Sequence, residues 1–233
     1  MAFSYTAMIL AAGYGKRMMP LTKYNPKPLL EIRGKTLLEN NINFLRKLGC
    51  KKIIINSHYL HHKVELFLKK INKKNDISLV YEKEILDTGG GIKNITQFFD
   101  QKNLLIINSD IFWRENNLKD AQMLINNYNT FKNSILLLVN QKNAYGLEKS
   151  KGDFILKNGK ALRYNNDKEI LFYTGLQILN INSIKNFSEN KFSINLIWDI
   201  LINQGKLYGE IMKSDWYHVG DLNGLNIAKN LPT

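Results

Sequence analysis

Residues 7–18 read AMILAAGYGKRM, and this stretch decides the fold class. A short apolar run leads into a loop with glycines at positions 13 and 15, and the cations Lys16 and Arg17 follow at once. An apolar run of this length that ends in glycines is typical of a buried parallel strand. Glycines let the backbone turn its N–H groups around an anion, and the two cations add donors for phosphate oxygens. The stretch therefore predicts a strand followed by a phosphate-binding loop.

Strand-like and helix-like segments alternate on the C-terminal side of this loop. Thr36 and Glu39 form a capping box that predicts the start of the first helix, and Gly49 predicts its end. This alternation predicts an α/β fold with a largely parallel, doubly wound sheet. The predicted strands are Ala7–Leu10, Ile53–Ile55, Ile77–Tyr81, Leu104–Ile107 and Ser134–Val139, and the predicted helices lie around Leu38–Leu45, Val64–Ile71, Ile92–Phe99 and Leu118–Asn129.

The pattern changes after about Tyr145, where a small β-rich C-terminal elaboration is expected. The pair Asn158-Gly159 lies between two short apolar segments and predicts a tight hairpin. Two later strands, Leu171–Leu179 and Leu207–Met212, flank a helix over Leu196–Asn203. Because no linker rich in Pro, Gly or Ser interrupts the chain, we expect residues 1–233 to form one domain.

Composition excludes several classes of protein. The chain has 233 residues, of which 44% are apolar and 23% charged, so we expect an ordered globular protein. The net charge of +13 favours anionic partners. The lysines are scattered, however, and the sequence lacks the basic stripe interleaved with aromatic residues that would predict nucleic-acid binding. No apolar run approaches the roughly 20 residues of a membrane span, and no signal peptide is recognisable. We therefore expect a soluble, cytoplasmic protein. We also expect its single cysteine, Cys50, to be a buried or incidental thiol.

Further motifs carry possible chemistry. Lys27 lies between two prolines, which present it on a stiff segment, as expected for a charge aimed at a phosphoryl group. Asp110 follows a predicted strand, at the sheet edge where open α/β folds bind ligands, and a carboxylate there suits Mg²⁺. The glycine run 89–91 predicts a place where the main chain passes very close to something. Asp221 by itself is more typical of a helix N-cap than of a metal ligand.

Other readings of the glycine loop find less support. The Walker A spacing is absent. Met18 stands where a dinucleotide fingerprint needs its third glycine, and Asn56 stands where the next strand should end in an acid, so a Rossmann oxidoreductase is disfavoured. The histidines form no ligand set: His218 stands apart from the other three, and surface or packing roles are expected for all four. A non-catalytic nucleotide sensor remains a third alternative.

Taken together, these motifs resemble the sugar-1-phosphate nucleotidyltransferases, in family order and over nearly the whole chain. The TGGGI form and the short length are most similar to the N-acetylmuramate-1-phosphate uridylyltransferases, while mannose-1-phosphate guanylyltransferases share the same motifs. The motifs are residues 10–18 (LAAGYGKRM), 20–22 (PLT), 26–29 (PKPL), 88–92 (TGGGI), 108–110 (NSD), 173–175 (YTG) and 216–221 (WYHVGD).

The resemblance implies a Rossmann-like, glycosyltransferase-A-like fold with a nucleotide-binding half, about 1–144, and a sugar-binding half, about 145–233. It implies that a sugar-1-phosphate oxygen attacks the α-phosphorus of a nucleoside triphosphate in line and expels pyrophosphate, with Mg²⁺ as cofactor. UTP with N-acetylmuramate-1-phosphate is the expected pair, with GTP and mannose-1-phosphate as the alternative. Glu82 or Glu84 could read the base, and Arg163 or Lys168 could hold the sugar phosphate.

The resemblance also implies the roles of individual residues. The implied catalytic residues are Arg17, Lys27 and Asp110; the nucleotide-binding residues are Ala11, Ala12, Gly13, Gly15, Lys16, Arg17, Lys27, Thr88, Gly89 and Gly90; the sugar-binding residues are Asn56, Asn108 and Gly175; and the metal ligands are Asp110 and Asp221.

Overall fold

The computed structural model describes residues 5–98, 101–128, 134–147, 151–166 and 169–232. The strands are β1 Thr6–Leu10, β2 Glu31–Ile32, β3 Lys35–Thr36, β4 Lys52–Ser57, β5 Ile77–Tyr81, β6 Asn103–Asn108, β7 Ser134–Asn140, β8 Ala144–Tyr145, β9 Phe154–Lys157, β10 Lys160–Arg163, β11 Leu171–Asn180, β12 Leu207–Met212 and β13 Trp216–Tyr217. The helices are α1 Leu37–Lys47, α2 His61–Ile71, α3 Asp87–Ile95, α4 Asn117–Asn127, α5 Ile194–Asn203 and α6 Leu222–Lys229.

A nine-stranded sheet organises the molecule, in the order β5-β4-β1-β6-β11-β7-β12-β10-β9. Strands β5, β4, β1 and β6 are parallel, and β7 and β12 are parallel to each other. Strand β11 runs antiparallel between β6 and β7, and β10 is antiparallel to β12 and β9. The predicted α/β class with a mostly parallel, doubly wound sheet is confirmed, and the β-rich C-terminal elaboration joins the same sheet.

Helices cover both faces of the sheet because side chains alternate along each buried strand. Ile9 and Ile107 point to the face covered by α1, α2 and α4. Met8 and Ile106 point to the face covered by α3 and α5. A third apolar cluster packs α6 under the loop that follows β1 and includes the fully buried Met18.

Local signals in the sequence set several boundaries. The Glu39 N–H donates to Thr36 Oγ1 at 3.0 Å, which confirms the predicted cap of α1. The β9–β10 hairpin turns at Asn158 (φ 51°) and Gly159 (φ 74°), the left-handed backbone that this pair favours. Burial raises the pKa of the Cys50 thiol to about 12, as expected for a structural thiol.

The helix ends differ from the prediction by a few residues. Helix α3 begins at Asp87, so the glycine run lies inside its first two turns, and α5 begins at Ile194 where Ser193 caps it. The predicted ends at Phe99 and Asn129 lie outside the described residues. Within the ranges described, no helix combines the length and apolarity needed to cross a bilayer.

Candidate active site

A cavity of about 420 Å³ opens beyond the carboxyl ends of β1, β4 and β6. Parallel strands in open α/β sheets place their ligand sites at this edge, because the loops that follow the strands meet there. The residues that line the cavity are Leu10, Ala11, Ala12, Gly13, Tyr14, Gly15, Lys16, Arg17, Lys27, Pro28, Asn56, Glu82, Ile85, Asp87, Thr88, Asn108, Ser109, Asp110 and Gly220.

The loop after β1 forms one wall of this cavity and is held from beneath. The Ala11 N–H donates to Asn56 Oδ1 at 2.8 Å, and Thr22 Oγ1 donates to the Gly15 carbonyl oxygen at 2.9 Å. Gly15 has φ +64°, and a Cβ there would lie 3.0 Å from Lys27 Cβ. Glycine is therefore required at this position both by the backbone conformation and by the closeness of the lysine.

Arg17 and Lys16 follow on a short 3₁₀ turn and are exposed at the cavity wall. The Lys16 ammonium lies 5.3 Å from the centre of the Tyr14 ring. Two exposed cations and a stiffly held glycine turn make this wall suited to an anion that carries several charges.

Lys27 crosses the cavity floor to reach Asp110. Its Nζ lies 2.8 Å from Asp110 Oδ2 and 3.4 Å from the Gly220 carbonyl oxygen, although the lysine and Asp110 are far apart in sequence. The lysine is only 9% exposed, which agrees with a side chain directed inward from a proline-flanked segment. The predicted cation and carboxylate therefore lie at one point of the cavity.

The Asp110 carboxyl is held ionised in this position. Burial by itself raises its pKa, but the Lys27 ammonium and the His218 ring together outweigh burial, so that the pKa lies well below its ordinary value. The backbone of Asp110 is fixed as well, because the Val219 N–H donates to its carbonyl oxygen at 2.8 Å. Asp110 thus presents a rigid, charged oxygen donor.

The structure assigns Asn56 a contact within the protein rather than an open position toward a sugar. Its side chain is 2% exposed, and Nδ2 donates to Glu82 Oε1 at 2.7 Å while Oδ1 accepts from Ala11. Glu82, also 2% exposed, accepts from the Leu86 N–H through Oε2 at 3.2 Å. The two side chains therefore form a buried bridge from the glycine loop after β1 to the start of α3.

Neither glutamate predicted to read the base presents an open carboxylate to the cavity. Both oxygens of Glu82 accept hydrogen bonds from the protein, because Asn56 and Leu86 donate to them. Glu84 is exposed and lies outside the cavity lining. The carboxylates that line the cavity are Glu82, Asp87 and Asp110.

The glycine run of α3 passes very close to other parts of the chain. A Cβ at Gly89 would lie 2.4 Å from the Phe192 ring, and one at Gly90 would lie 2.2 Å from the Asn190 carbonyl oxygen. Thr88 lines the cavity, whereas Gly89 and Gly90 pack against the loop before α5. The predicted close approach exists, but its partner is the chain itself.

Two further predicted residues lie behind the cavity lining. Gly175 has φ +85° at a bulge in β11, and a Cβ there would lie 3.0 Å from Asn108 Cβ. Asp221 caps α6, with its Oδ1 accepting from the Gly224 N–H at 2.9 Å. The prediction of Asp221 as an N-cap is therefore confirmed. Asn108, the neighbour of Gly175, does line the cavity.

Arg163, one of the two residues expected to hold a sugar phosphate, is not brought to the cavity. Arg163 pairs with Asp199 at 2.7 Å and lies over the rings of Phe154 and Trp198 on the far side of the sheet from β1. Lys168 lies outside the described residues.

Sequence reasoning missed two site residues. Tyr14 lines the cavity and meets the His58 ring edge-on, at 5.5 Å between centroids. His218 reaches Asp110, with Nε2 3.5 Å from Oδ2. The signal for His218 was its place in the WYHVGD segment, two residues from Gly220, which lines the cavity.

Comparison with known proteins agrees with this geometry. N-acetylmuramate alpha-1-phosphate uridylyltransferase of Caulobacter vibrioides is 29% identical over 222 residues, covering 92% of this chain and 91% of that protein. Mannose-1-phosphate guanylyltransferase catalytic subunit beta of Danio rerio is 25% identical, over 92% of this chain and 61% of that protein. HddC from Yersinia pseudotuberculosis, solved with GMP-PN, superposes with a TM-score of 0.77 at 22% identity, over 97% of this chain and 98% of that one.

A family match also covers nearly the whole chain. The sequence model of the nucleotidyl transferase family matches residues 6–231, which include the glycine loop, Lys27, Asp110 and His218. The chain therefore belongs to the nucleotidyl transferase family, and it is a nucleotidyltransferase.

Proposed function

We propose that the protein transfers a nucleoside monophosphate from a nucleoside triphosphate to a sugar-1-phosphate and releases pyrophosphate. The observation that carries the proposal is the 2.8 Å contact between Lys27 Nζ and Asp110 Oδ2 on the floor of the cavity whose wall is the loop 11–17. The halves 1–144 and 145–233 act as one unit in this proposal, because β11 pairs with both β6 and β7.

The reaction needs positioning and charge neutralisation more than acid–base chemistry. A sugar-1-phosphate oxygen is already an anion, so its attack on the α-phosphorus requires no protein nucleophile and no strong base. The oxygen–phosphorus bond forms in line as the bond to pyrophosphate breaks. In this scheme the loop 11–17 holds the triphosphate, and the exposed guanidinium of Arg17 stabilises the departing pyrophosphate.

Lys27 holds the reacting phosphates together. An ammonium group has three N–H donors, and Asp110 and Gly220 accept from Lys27 in the structure. A phosphate oxygen that enters the cavity takes the remaining donor or replaces the long contact to Gly220. Lys27 therefore neutralises both the α-phosphate and the incoming sugar phosphate, which would otherwise repel each other.

The walls of the cavity suggest where the other parts of the substrates bind. Ala12, Gly13 and Thr88 all line the cavity, and the flat base is proposed to bind between the first two and Thr88. Asn108 lies at the end of β6, and its amide is proposed to bind a hydroxyl of ribose or sugar. Asn56 is proposed to act on the nucleotide indirectly, through the loop residue Ala11.

The donors present fit a divalent cation such as Mg²⁺. Asp110 is ionised and rigid, and a carboxylate is the donor type that Mg²⁺ takes together with phosphate oxygens. When bound, the ion neutralises charge on the reacting phosphates. Asp221, the second ligand implied by the resemblance, has one oxygen engaged in capping α6.

We propose UTP and N-acetylmuramate-1-phosphate as the substrates. The support is the relative from Caulobacter vibrioides, which aligns over 92% of this chain and nearly all of its own length. GTP with mannose-1-phosphate is the second candidate. Its support is the guanylyltransferase from Danio rerio, whose alignment with this chain covers 61% of its own length.

Pyrophosphate release tests the proposal. The purified chain is incubated with Mg²⁺, each common nucleoside triphosphate and a panel of sugar-1-phosphates that includes N-acetylmuramate and mannose. Release that depends on a sugar-1-phosphate is expected, and the productive pair identifies the substrates. Absence of release across the panel from folded protein would contradict the proposed function.

Two variants test the residues. Lys27→Met and Asp110→Asn are each expected to lower turnover by about 10²-fold or more, the scale for removing one aimed charge. Lys23→Met is the matched control, because Lys23 is an exposed lysine on the neighbouring 3₁₀ turn and lies over Tyr24 outside the cavity lining. Near-normal turnover in either folded site variant would refute the assignment of that residue.

A further inference from the structure

We propose that Tyr14 is a positioning residue, whose ring holds the Lys16 ammonium toward the β- and γ-phosphates and so favours a triphosphate over shorter nucleotides. The inference rests on the proposed function in one respect, because it requires that the triphosphate binds along the loop 11–17.

The backbone between Tyr14 and Lys16 is fixed. Gly15, the residue that separates them, has φ +64° and caps the start of a 3₁₀ turn. Its carbonyl oxygen accepts from the Met18 N–H and from Thr22 Oγ1, each at 2.9 Å. The turn therefore sets the positions from which the two side chains extend, and the Lys16 ammonium lies 5.3 Å from the centre of the Tyr14 ring.

The Tyr14 ring packs against the segment that follows β4. It meets the His58 ring edge-on, at 5.5 Å between centroids, and lies 5.8 Å from the Tyr59 ring at an angle of 60°. His58 is anchored because its Nδ1 donates to the Glu82 carbonyl oxygen at 2.8 Å. The Tyr59 hydroxyl is anchored to the Thr22 carbonyl oxygen at 3.0 Å. Although it is 46% exposed, the Tyr14 ring thus has two neighbours that define its orientation.

An aromatic ring can hold a cation without cancelling its charge. Lys69, by contrast, pairs with Glu65, a carboxylate that compensates the ammonium. In the part of the chain that the structure describes, no carboxylate forms an ion pair with Lys16. The quadrupole of the Tyr14 ring attracts the Lys16 ammonium and restricts a flexible side chain, while the full positive charge stays available to an anion.

The positions of the other cations indicate which phosphates Lys16 meets. Lys27 lies on the cavity floor beside Asp110, where the α-phosphate reacts in the proposed scheme. Lys16 directly precedes Arg17, and both line the wall that holds the departing pyrophosphate in that scheme. We therefore expect Lys16 to contact the β- and γ-phosphates. A nucleoside monophosphate lacks these groups and gains nothing from the Tyr14–Lys16 pair.

Restricting Lys16 before the nucleotide arrives makes binding more favourable. A free lysine side chain loses rotamer freedom when its ammonium group binds a phosphate. Contact with the Tyr14 ring makes part of that loss in the unbound protein. A cation–π contact at an exposed site contributes on a scale equivalent to about two- to fivefold in affinity.

Calorimetric titration with UTP and UMP, and with GTP and GMP, tests the inference without requiring catalysis. Lys16→Met is expected to weaken triphosphate binding by about tenfold and monophosphate binding by less than about twofold, because one charge-assisted contact is lost. Tyr14→Leu is expected to weaken triphosphate binding by about two- to fivefold and to leave monophosphate binding unchanged. Tyr14→Phe keeps the ring and is expected to bind both as the wild type does.

The double variant separates positioning from a merely structural role. Adding Tyr14→Leu to Lys16→Met is expected to change triphosphate affinity by less than about 1.5-fold, because the interaction between the two residues is already lost. Tyr24→Leu is the matched control, since Tyr24 forms the same kind of pair with Lys23, at 5.2 Å, outside the cavity lining. The control is expected to leave both affinities unchanged.

Several results would overturn the inference. They are an equal loss of triphosphate and monophosphate affinity in Tyr14→Leu, full additivity in the double variant, an unchanged triphosphate affinity in Lys16→Met, a matching loss in Tyr24→Leu, and failure of both triphosphates to bind. Pyrophosphate release by the wild type decides the proposed function separately. Release together with unaltered affinities in the variants would reject the role of Tyr14 alone, whereas the expected affinities without release would reject the proposed function alone.

Discussion

Replacing Asn56 by leucine should uncouple the glycine loop after β1 from the rest of the sheet. The amide of Asn56 accepts from the Ala11 N–H at 2.8 Å and donates to Glu82 Oε1 at 2.7 Å, and both Asn56 and Glu82 are 2% exposed. Leucine has a similar size but neither donor nor acceptor. Asn56→Leu therefore leaves a buried N–H and a buried carboxylate oxygen without their partner.

The magnitude follows from these two groups. A buried donor or acceptor that loses its partner costs about 1–3 kcal/mol, and more when the group is charged. Two such groups predict a loss of about 2–5 kcal/mol in the free energy of unfolding. Because the Ala11 N–H belongs to the loop, we also expect nucleotide affinity to fall more than sugar-phosphate affinity.

Urea unfolding and calorimetric titration with the productive nucleotide measure both effects. Asn108→Leu is the matched control for the unfolding measurement alone, because Asn56 and Asn108 flank the same residue, Leu10, on either side of β1. We expect the control to lower stability by less than about 1 kcal/mol, since Asn108 is only half-buried. Asn56→Leu within about 0.5 kcal/mol of wild type, with a raised KM for the sugar phosphate alone, would refute the reasoning and restore a sugar-binding role.

Three further predictions concern positions away from the reacting groups. Arg163→Ala should lower stability by about 1 kcal/mol or less, because Arg163 pairs with Asp199 at an exposed site. The KM for the sugar phosphate should stay within about twofold of wild type, and a tenfold rise would contradict this prediction. Gly90→Ala should destabilise by about 1–3 kcal/mol in thermal unfolding, since its methyl group would overlap the Asn190 carbonyl oxygen, and an unchanged Tm would show that the loop yields. Cys50, with its pKa raised from 9.0 to about 12, should resist alkylation at pH 8 in the native state, and rapid labelling of the native protein would show that the thiol is accessible. The stability that burial of the neutral thiol contributes is complete below pH 9 and declines as the pH rises toward 12.

Local sequence patterns were sufficient to predict most elements of the fold. The capping box at Thr36, the hairpin pair at Asn158 and the apolar strands act through hydrogen bonds and side chains within a few residues. Such patterns do not specify strand order. The insertion of β11 between β6 and β7 joins the two halves of the chain, and it depends on packing between segments that are distant in sequence.

The glycine run at 89–91 shows how much a correct local signal leaves open. Three glycines indicate that something approaches the backbone closely, but they do not indicate whether a ligand or the chain itself approaches. Only the packing of α3 against Phe192 and Asn190 decides this. The polar residue Asn56 is a similar case, since its contacts with Ala11 and Glu82 arise from neighbouring strands.

The sequence by itself determined the α/β class, the glycine turn after β1 and the roles expected of Lys27 and Asp110, because glycine, proline and charge act through backbone freedom and residue type. The tertiary structure decided which groups meet. It placed Lys27 against Asp110, used Asp221 to cap α6 and brought His218 to 3.5 Å from the Asp110 carboxylate. These contacts depend on how strands and loops from opposite ends of the chain pair at one edge of the sheet, and no local pattern encodes that pairing.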